Sequence, residues 1–244
     1  MDADYASGYA ELYRSHWWWR AREALVTQKI AQLVPAEGWR RALDVGCGDG
    51  LFLPQLSRFA ETVEGLEVEG RLVSEDAARR YSIHIGALDE RFAPAAPYEF
   101  ISMLDVLEHI AQPLPALRRC REIMAPQGIL VLTVPAFRAL WTSHDELNRH
   151  YARYTRRELI RLVNEAGFDA IESRYFFHWL VLPKWVVRQA ERVLGPHVHH
   201  PGIPPHFVNR VLHAFSRIER RIFKPLGWMP GTSIFLAATP QDQT

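Results

Sequence analysis

Short apolar segments alternate with amphipathic ones along most of the chain, which is the hydrophobic pattern of an α/β protein. Seven short segments are predicted as strands, at residues 42–45, 61–67, 82–85, 100–104, 128–134, 169–176 and 232–238. Helices are predicted at residues 5–34, 51–59, 70–81, 114–124, 155–167, 179–194 and 207–223. Because strands and helices alternate as far as residue 176, we expect a mostly parallel sheet with helices on both faces.

The turn after the first predicted strand carries three glycines at alternate positions, Gly46, Gly48 and Gly50. Glycine allows the backbone to turn sharply and to approach a ligand closely. A strand, a glycine-rich turn and a helix start place free N–H groups at the carboxyl edge of a parallel sheet, where nucleotide-like ligands bind. The second predicted strand ends in Glu67, whose carboxylate suits the two hydroxyls of a ribose. We therefore predict a nucleoside site at this edge.

Four features in this order resemble the class I S-adenosylmethionine (SAM) dependent methyltransferases: residues 43–50, the strand ending at Glu67, and residues 104–109 and 124–130. The resemblance implies SAM as cofactor and a Rossmann-like seven-stranded sheet with an N-terminal helical lid. Arg22 is expected at the methionine carboxylate, and Glu67 at the ribose. The cofactor-binding residues implied by the resemblance are Arg22, Asp44, Gly46, Cys47, Gly48, Gly50, Glu67, Val68, Ala87, Leu88, Asp105 and Val106.

A chain of 244 residues, 48% of them apolar, predicts one globular domain with a large insertion. We expect a helical lid at residues 1–38, the SAM-binding core at 39–177, an insertion at 178–230, and the last strand with the tail at 231–244. The lid contains three consecutive tryptophans, which point in different directions around a helix. Either two of them pack on the core and one stays partly exposed, or the segment closes over the cofactor.

The formal charge of +1 gives no electrostatic reason to expect a nucleic acid partner. The two cysteines, Cys47 and Cys120, are too few for a disulfide framework and are expected as reduced thiols, which favours a cytoplasmic protein. No secretory or transit signal is visible at the N-terminus. The longest apolar run is interrupted by His178, Pro183 and Lys184, so it is not predicted to span a bilayer.

Residues 135–154 follow the fifth predicted strand and therefore emerge at the same sheet edge as the cofactor. The segment is crowded with titratable side chains, each of which needs a partner if it is buried. For an oxygen acceptor we predict His144 or His150 as the base, oriented by Asp145. A hydrogen-bonded loop that only shapes the pocket is the alternative. The candidate catalytic residues are His144, Asp145, His150, Tyr151 and Tyr154.

Other histidines also allow two interpretations. His109 is either a base near the methyl group or a helix-start histidine bonded to the backbone or to Glu108. We predict no metal in the 135–154 loop, because its histidines lack the short paired spacing of a metal site. The proline-rich connector 196–206 contains four histidines and is predicted to be a solvated linker.

The insertion contains eight lysines and arginines and two glutamates, which gives it a net charge of +6. Its second predicted helix places apolar residues along one face, at Val208, Leu212, Phe215, Ile218 and Ile222. Such a basic amphipathic pair either lies on an anionic membrane, covers the substrate of its own domain, or packs on the sheet with a solvated basic side. Peripheral membrane contact through residues 178–224 is thus one of three open interpretations.

Together these features predict methyl transfer from SAM to an oxygen or nitrogen of a small or lipid-like acceptor, yielding S-adenosylhomocysteine. Most of the catalysis is expected from alignment and desolvation, because the sulfonium already activates the methyl carbon. The resemblance disfavours base-amine methylation, because residues 104–107 lack the Asp/Asn-Pro-Pro-Tyr/Phe clamp. Two alternatives are a SAM-binding scaffold or partner subunit without turnover, and an RNA methyltransferase whose basic insertion faces the methyl donor.

Overall fold

A seven-stranded sheet forms the centre of the computed structural model, which describes residues 10–196 and 202–242. The strands lie in the order β3-β2-β1-β4-β5-β7-β6, and β7 is antiparallel to both of its neighbours while the other pairs are parallel. The predicted α/β fold is therefore confirmed. The strands are β1 (Trp39–Val45), β2 (Ala60–Glu67), β3 (Ser82–Ile85), β4 (Tyr98–Leu104), β5 (Met124–Pro135), β6 (Phe168–Phe176) and β7 (Ser233–Pro240).

The strand order reverses between β1 and β4. The chain proceeds outward from β1 through β2 to β3 and then returns to place β4 on the other side of β1, in register with Val45 opposite Met103. At such a reversal the connections leave in opposite directions and open a crevice at the carboxyl ends of the strands, where ligands of α/β proteins bind.

Eight α-helices are described, preceded by helical residues 10–15. Two predicted helices are shorter than expected. The segment 51–59 has only one short helix, and Ser57, at its end, donates its Oγ hydrogen to the Leu53 carbonyl O at 3.1 Å. The segment 70–81 is divided by Ser74, which accepts a hydrogen bond from Ala77 N and starts a new helix. The helices are α1 (Trp17–Leu33), α2 (Leu53–Leu56), α3 (Glu75–Arg80), α4 (Pro113–Ile123), α5 (Ser143–Leu147), α6 (Arg156–Glu165), α7 (Val181–Leu194) and α8 (His206–Ile222).

The two faces of the sheet carry separate apolar clusters. One cluster packs α4 and α6 on the sheet, and the other packs α1 and α2 on the opposite face. Neighbouring residues of β4, Phe100 and Ile101, point into different clusters, and both are fully buried. Central parallel strands are covered on both faces, which explains why β4 and β5 are apolar almost throughout.

The three tryptophans behave largely as in the first of the two interpretations. Trp17 and Trp19 are buried, and Trp18 is half-buried. Trp17 packs in the core cluster, whereas Trp19 packs on the preceding helical residues 10–15. Asn209 of α8 joins this region to the insertion, because its Oδ1 accepts a hydrogen bond from Trp17 N at 2.8 Å. The helical residues before β1 and the insertion therefore form one packed unit.

Both insertion helices expose several apolar side chains, although Leu212 of α8 packs against the core cluster. The buried residues of α8 are Asn209, Ser216 and Glu219. The insertion does pack on the core domain, because Leu212 contacts the core cluster and Asn209 bonds to Trp17, and much of its basic side is exposed. The interpretation did not anticipate that much of the apolar side is exposed as well. We call this exposed face the outer apolar surface; it consists of Leu182, Val186 and Val193 of α7 and Phe207, Val211, Phe215, Ile218 and Ile222 of α8.

Within the described residues, no helix is both long enough and apolar enough to cross a membrane. Both cysteines are free thiols and buried, in agreement with the sequence prediction. In the connector, His197, His199 and His200 lie outside the described residues.

Gly48 and Gly50 provide a matched test of the glycine turn. Both have left-handed backbone angles, φ +56° and +80°, but a Cβ at Gly50 would lie 2.6 Å from Ala77 Cβ, whereas a Cβ at Gly48 would meet nothing within 4 Å. We expect Gly48→Ala to lower the free energy of unfolding by about 1–2 kcal/mol. Gly50→Ala should lower the free energy of unfolding by about a further 1–3 kcal/mol, because the added Cβ overpacks against Ala77. Urea denaturation without ligand measures both values. Equal losses in the free energy of unfolding would mean that α3 moves away from the Gly50→Ala side chain at no cost in free energy.

Candidate active site

The glycine turn enters the crevice between β1 and β4. Gly46 packs tightly, because a Cβ there would lie 2.5 Å from Val106 Cγ2. Gly48 instead borders open space. The backbone of the turn is therefore bare on the side of the crevice, and a side chain at Gly48 would fill the space that a ligand needs.

Glu67, at the end of β2, holds the turn in place. Its carboxylate accepts hydrogen bonds from Gly48 N and Glu69 N, both at 2.9 Å, and the side chain is buried. Gly86 N donates to the Glu67 carbonyl O at 2.9 Å, which brings the predicted adenine turn at residues 87–88 to the same edge. A carboxylate has about four acceptor sites, so two of them remain for a ribose diol.

An ion pair joins the N-terminal helix to the end of β4. Arg22 is buried, and its Nε lies 2.5 Å from Asp105 Oδ2. Asp105 has a left-handed φ of 55°, which is uncommon for a residue with a side chain and is typical of ligand sites. Thr133 Oγ1 donates to Asp105 Oδ1 at 3.2 Å and supports this conformation. The pair places both predicted cofactor residues at the crevice.

Two other predicted cofactor residues are buried in the region of the turn. Ser102 Oγ donates to Asp44 Oδ1 at 2.6 Å, and burial raises the pKa of Asp44 to about 7 despite this bond. Burial also raises the pKa of the Cys47 thiol, so Cys47 is a packing residue and not a thiolate at neutral pH. By contrast, Val68 is 65% exposed at the end of β2.

The carboxylate of Asp145 organises the loop after β5. Its Oδ2 accepts from Thr142 N at 2.9 Å, and its Oδ1 lies 2.9 Å from His150 Nδ1 and 2.7 Å from Arg153 Nε. Asp145 has no exposed surface, and burial alone would raise its pKa. The His150 hydrogen bond and the charges of Arg153 and Lys184 outweigh burial and hold the pKa of Asp145 well below its ordinary value. The ionised carboxylate therefore fixes the His150 proton on Nδ1.

His150 meets a second pair of residues across the crevice. Glu108 and His109 follow β4 on a short helical turn, and each of the three residues offers one ligand atom within 4.8 Å of the others. The His109 and His150 rings lie 4.7 Å apart between centroids, edge to face. Tyr151 N donates to the Glu108 carbonyl O at 2.7 Å and ties the two loops together. We call Glu108, His109 and His150 the Glu–His–His cluster, and its donor types could hold either a proton or a metal ion.

The other predicted catalytic residues lie outside this arrangement. His144 Nε2 lies 3.1 Å from Asn148 Nδ2, and burial, aided by the charge of Lys184, lowers the pKa of His144 to about 4. Tyr151 and Tyr154 line a surface pocket of about 420 Å³ that begins next to the cluster. Tyr151 is exposed there, whereas Tyr154 is mostly buried, which raises its pKa to about 12.

Sequence reasoning missed several residues that complete the site. Thr142 and Asp145 form a capping box at the start of α5, a three-residue spacing that would have predicted an engaged Asp145. Glu191 of α7 also binds this helix start, because Ser143 Oγ donates to its Oε1 at 2.7 Å. No local pattern connects residues 143 and 191, so only the folded chain reveals that contact.

Comparisons with known proteins agree with this geometry. The family model described as a methyltransferase domain matches residues 18–173. A probable S-adenosylmethionine-dependent methyltransferase of Mycolicibacterium smegmatis is 26% identical over 191 residues, which cover 77% of this chain and 73% of that protein. A ubiquinone biosynthesis O-methyltransferase of Caulobacter sp. is 31% identical over 105 residues, which cover 40% of this chain and 41% of that protein.

A solved structure is also similar. It is a chain of the Haloferax volcanii complex between the Trm112 methyltransferase activator and a methyltransferase, with a TM-score of 0.63 and 16% identity over 99% of this chain and 96% of that chain. At this identity the similarity supports the fold alone.

The family match covers more than half of the chain, so this protein belongs to the methyltransferase domain family. It is a class I SAM-dependent methyltransferase. The bare backbone at Gly48 and the buried carboxylate of Glu67 fit this cofactor. The chain spans less than two thirds of the length of the ubiquinone O-methyltransferases that it matches.

The lowered pKa of Asp145 makes its contribution to stability pH-dependent. A carboxyl group whose pKa is lower in the folded state stabilises the fold above its unfolded pKa, near 3.8, and this contribution is lost as the pH falls below that value. We expect Asp145→Asn to lower the free energy of unfolding at pH 7 by about 3–5 kcal/mol, because it leaves buried cations unpaired. Below about pH 4, the difference in the free energy of unfolding between Asp145→Asn and the wild type should become smaller.

Urea denaturation at pH 7, 5 and 3.5 measures this effect. Asp76→Asn is the matched control, because Asp76 pairs with Arg80 on an exposed face of α3 and its loss should barely move the midpoint. A difference for Asp145→Asn that stays constant with pH would contradict an ionised, paired Asp145.

Proposed function

We propose that this enzyme methylates an oxygen atom of an amphiphilic acceptor that it meets at an anionic membrane surface. The Glu–His–His cluster is the observation that carries the choice of oxygen. A hydroxyl acceptor must lose a proton during transfer, and three titratable side chains converge at the edge where the glycine turn lies. Val106, which packs at Gly46, precedes Glu108 by only two residues, so the two halves of the site adjoin.

The cofactor half is assigned by motif and geometry. SAM, when bound, supplies a methyl group on a positively charged sulfur. The open backbone at Gly48 and the buried Arg22–Asp105 pair support this placement. The proposed contacts are Arg22, Asp44, Gly46, Cys47, Gly48 and Gly50 for the methionine end, Glu67 and Val68 for the ribose, Ala87 and Leu88 for the adenine, and Asp105 and Val106 for the far wall.

On the acceptor side, His150 is better placed than His144 to act on the hydroxyl. Asp145 holds His150 Nδ1, so Nε2 is the nitrogen left to face the cluster. His144 is turned toward Asn148 instead. Tyr151 and Tyr154 line the neighbouring pocket and are proposed to position the acceptor.

The outer apolar surface supports an amphiphilic acceptor and a membrane location. A helix that buries Asn209, Ser216 and Glu219 while exposing its apolar row loses the stabilisation that burial normally provides, unless something covers that row. Exposed Arg210, Arg217 and Arg221 follow at helical spacing beside the row.

The chemistry of this surface matches an anionic bilayer. Apolar side chains enter the acyl boundary while flanking arginines meet the anionic headgroups. The exposed tryptophans, Trp185 and Trp228, are of the type that settles at membrane interfaces. Relatives named for O-methylation in ubiquinone biosynthesis add support for an oxygen acceptor on an apolar compound.

The two rival functions have less support. A scaffold without turnover has no use for the Glu–His–His cluster. An RNA methyltransferase needs its basic residues to face the methyl donor, whereas the arginines of α8 flank an outward apolar row.

Turnover tests the acceptor assignment. With phenols that carry a long alkyl tail, we expect S-adenosylhomocysteine formation to exceed that with the untailed phenol or the tailed aniline. His150→Ala should lower kcat by about 10²-fold or more while SAM affinity by calorimetry is retained. His144→Ala, in the same loop, should lower kcat by less than about tenfold. A larger loss for His144→Ala, or a preference for the aniline, would overturn this half of the proposal.

Vesicle sedimentation tests the membrane assignment. We expect binding to vesicles containing phosphatidylglycerol, with weaker binding to pure phosphatidylcholine and at high salt. The double variant Phe215→Ser, Ile218→Ser should reduce binding at least about tenfold, because it removes apolar burial. Ile171→Ser is the matched control, since Ile171 is equally exposed but lies on β6. Equal losses in the two variants, or a concentration-dependent dimer that covers α8 instead of vesicle binding, would refute membrane docking.

A further inference from the structure

Three side chains from two separate loops converge at the Glu–His–His cluster. Glu108 and His109 are adjacent in sequence, whereas His150 comes from the loop after β5. Their ligand atoms lie within 4.8 Å of one another. Ligand atoms about 2.0–2.2 Å from a tetrahedral metal ion stand about 3.4 Å apart, so small side-chain rotations would complete such a site.

Glu108 provides an independent sign that a positive partner belongs here. It is 1% exposed, and its buried Oε2 has no hydrogen-bond partner among the described residues. A buried carboxylate oxygen without a partner is costly, and native proteins usually pair such groups or use them to coordinate metals.

His150 is oriented as metal-binding histidines usually are. Its Nδ1 is held by the Asp145 carboxylate at 2.9 Å, which leaves Nε2 as the ligand atom. A carboxylate that holds the second ring nitrogen fixes the tautomer and strengthens the ligand.

We propose that Glu108, His109 and His150 bind a divalent transition-metal cation of the zinc type, and that this cation holds the oxygen of the methyl acceptor. Two imidazoles and one carboxylate favour such an ion over Mg²⁺ or Ca²⁺, which prefer oxygen ligands. Three protein ligands leave a position open for an acceptor hydroxyl. Because His150 Nε2 is then a ligand and not a base, the cation makes the hydroxyl proton more acidic and the proton leaves to water. The acceptor role rests on the proposed function, whereas the cation site itself does not.

This site differs from one that His144, Asp145 and His150 of the 135–154 loop would form alone, where no metal was predicted. Asp145 is fully engaged by Thr142, His150 and Arg153, so it supports a ligand and is not one itself. His144 is turned toward Asn148. Only His150 is common to the two sets.

Metal binding is measured directly on the full chain after removal of bound ions with a chelator. Titration with Co²⁺ should give visible absorption bands of a four- or five-coordinate ion, and Zn²⁺ should displace it. Glu108→Gln and His150→Ala should each weaken Co²⁺ affinity at least about hundredfold. Calorimetry with SAM shows whether each variant is still folded, and the nearly isosteric Glu108→Gln keeps the test valid if His150→Ala does not fold.

Two control variants locate the site. His84→Ala removes another histidine with a carboxylate partner, Glu64 at 2.7 Å, and should leave Co²⁺ affinity unchanged. The triple variant His197→Ala, His199→Ala, His200→Ala should do the same. Wild-type affinity in Glu108→Gln and His150→Ala, or a loss that follows the triple variant, would overturn the site.

Activity separates this inference from the proposed function. If Co²⁺ binds as described and the metal-free protein turns over tailed phenols at the full rate, the acceptor role of the cation is wrong although oxygen methylation stands. If the ion binds and no hydroxyl acceptor is methylated with or without it, the proposed function fails while the cation site survives. Turnover that falls on metal removal and returns with Zn²⁺ supports both.

Discussion

The buried charge of Asp145 is the constraint on which the loop after β5, the proposed acceptor side, depends. One carboxylate caps α5, pairs with Arg153 and orients His150, and it does so with no exposed surface. An ionised group in that position is tolerated only when hydrogen bonds and opposite charges surround it. The observed arrangement of the loop after β5 satisfies the charge and brings His150 close to Glu108 and His109.

The cofactor side relies on the backbone instead. Gly46 admits Val106 at close range, Gly48 leaves the crevice open, and Glu67 holds the turn through a backbone N–H. The Arg22–Asp105 pair then connects the N-terminal helix with the strand that leads into the cluster. The two halves thus meet at residues 105–109.

The insertion contacts the loop after β5 on its inner side and exposes apolar residues on its outer side. Its inner polar side supports the site, because Glu191 receives the hydrogen bond of Ser143 at the start of α5. Its outer side exposes the apolar row of α8. The helix pair therefore contacts the loop that carries the proposed acceptor residues and also presents an exposed apolar surface.

Short continuous motifs made much of the molecule predictable: residues 43–50 and Glu67 indicated a nucleoside site, and alternating apolar segments predicted the sheet. Ser74 divided a predicted helix, because the hydrogen bond of a single capping side chain overrides periodicity. By itself, the sequence determined which segments form strands and that α8 has an apolar row, since both follow from local spacing. Only the tertiary structure decided that this row faces outward and that Glu108 meets His150, because contacts between distant segments depend on how whole elements pack.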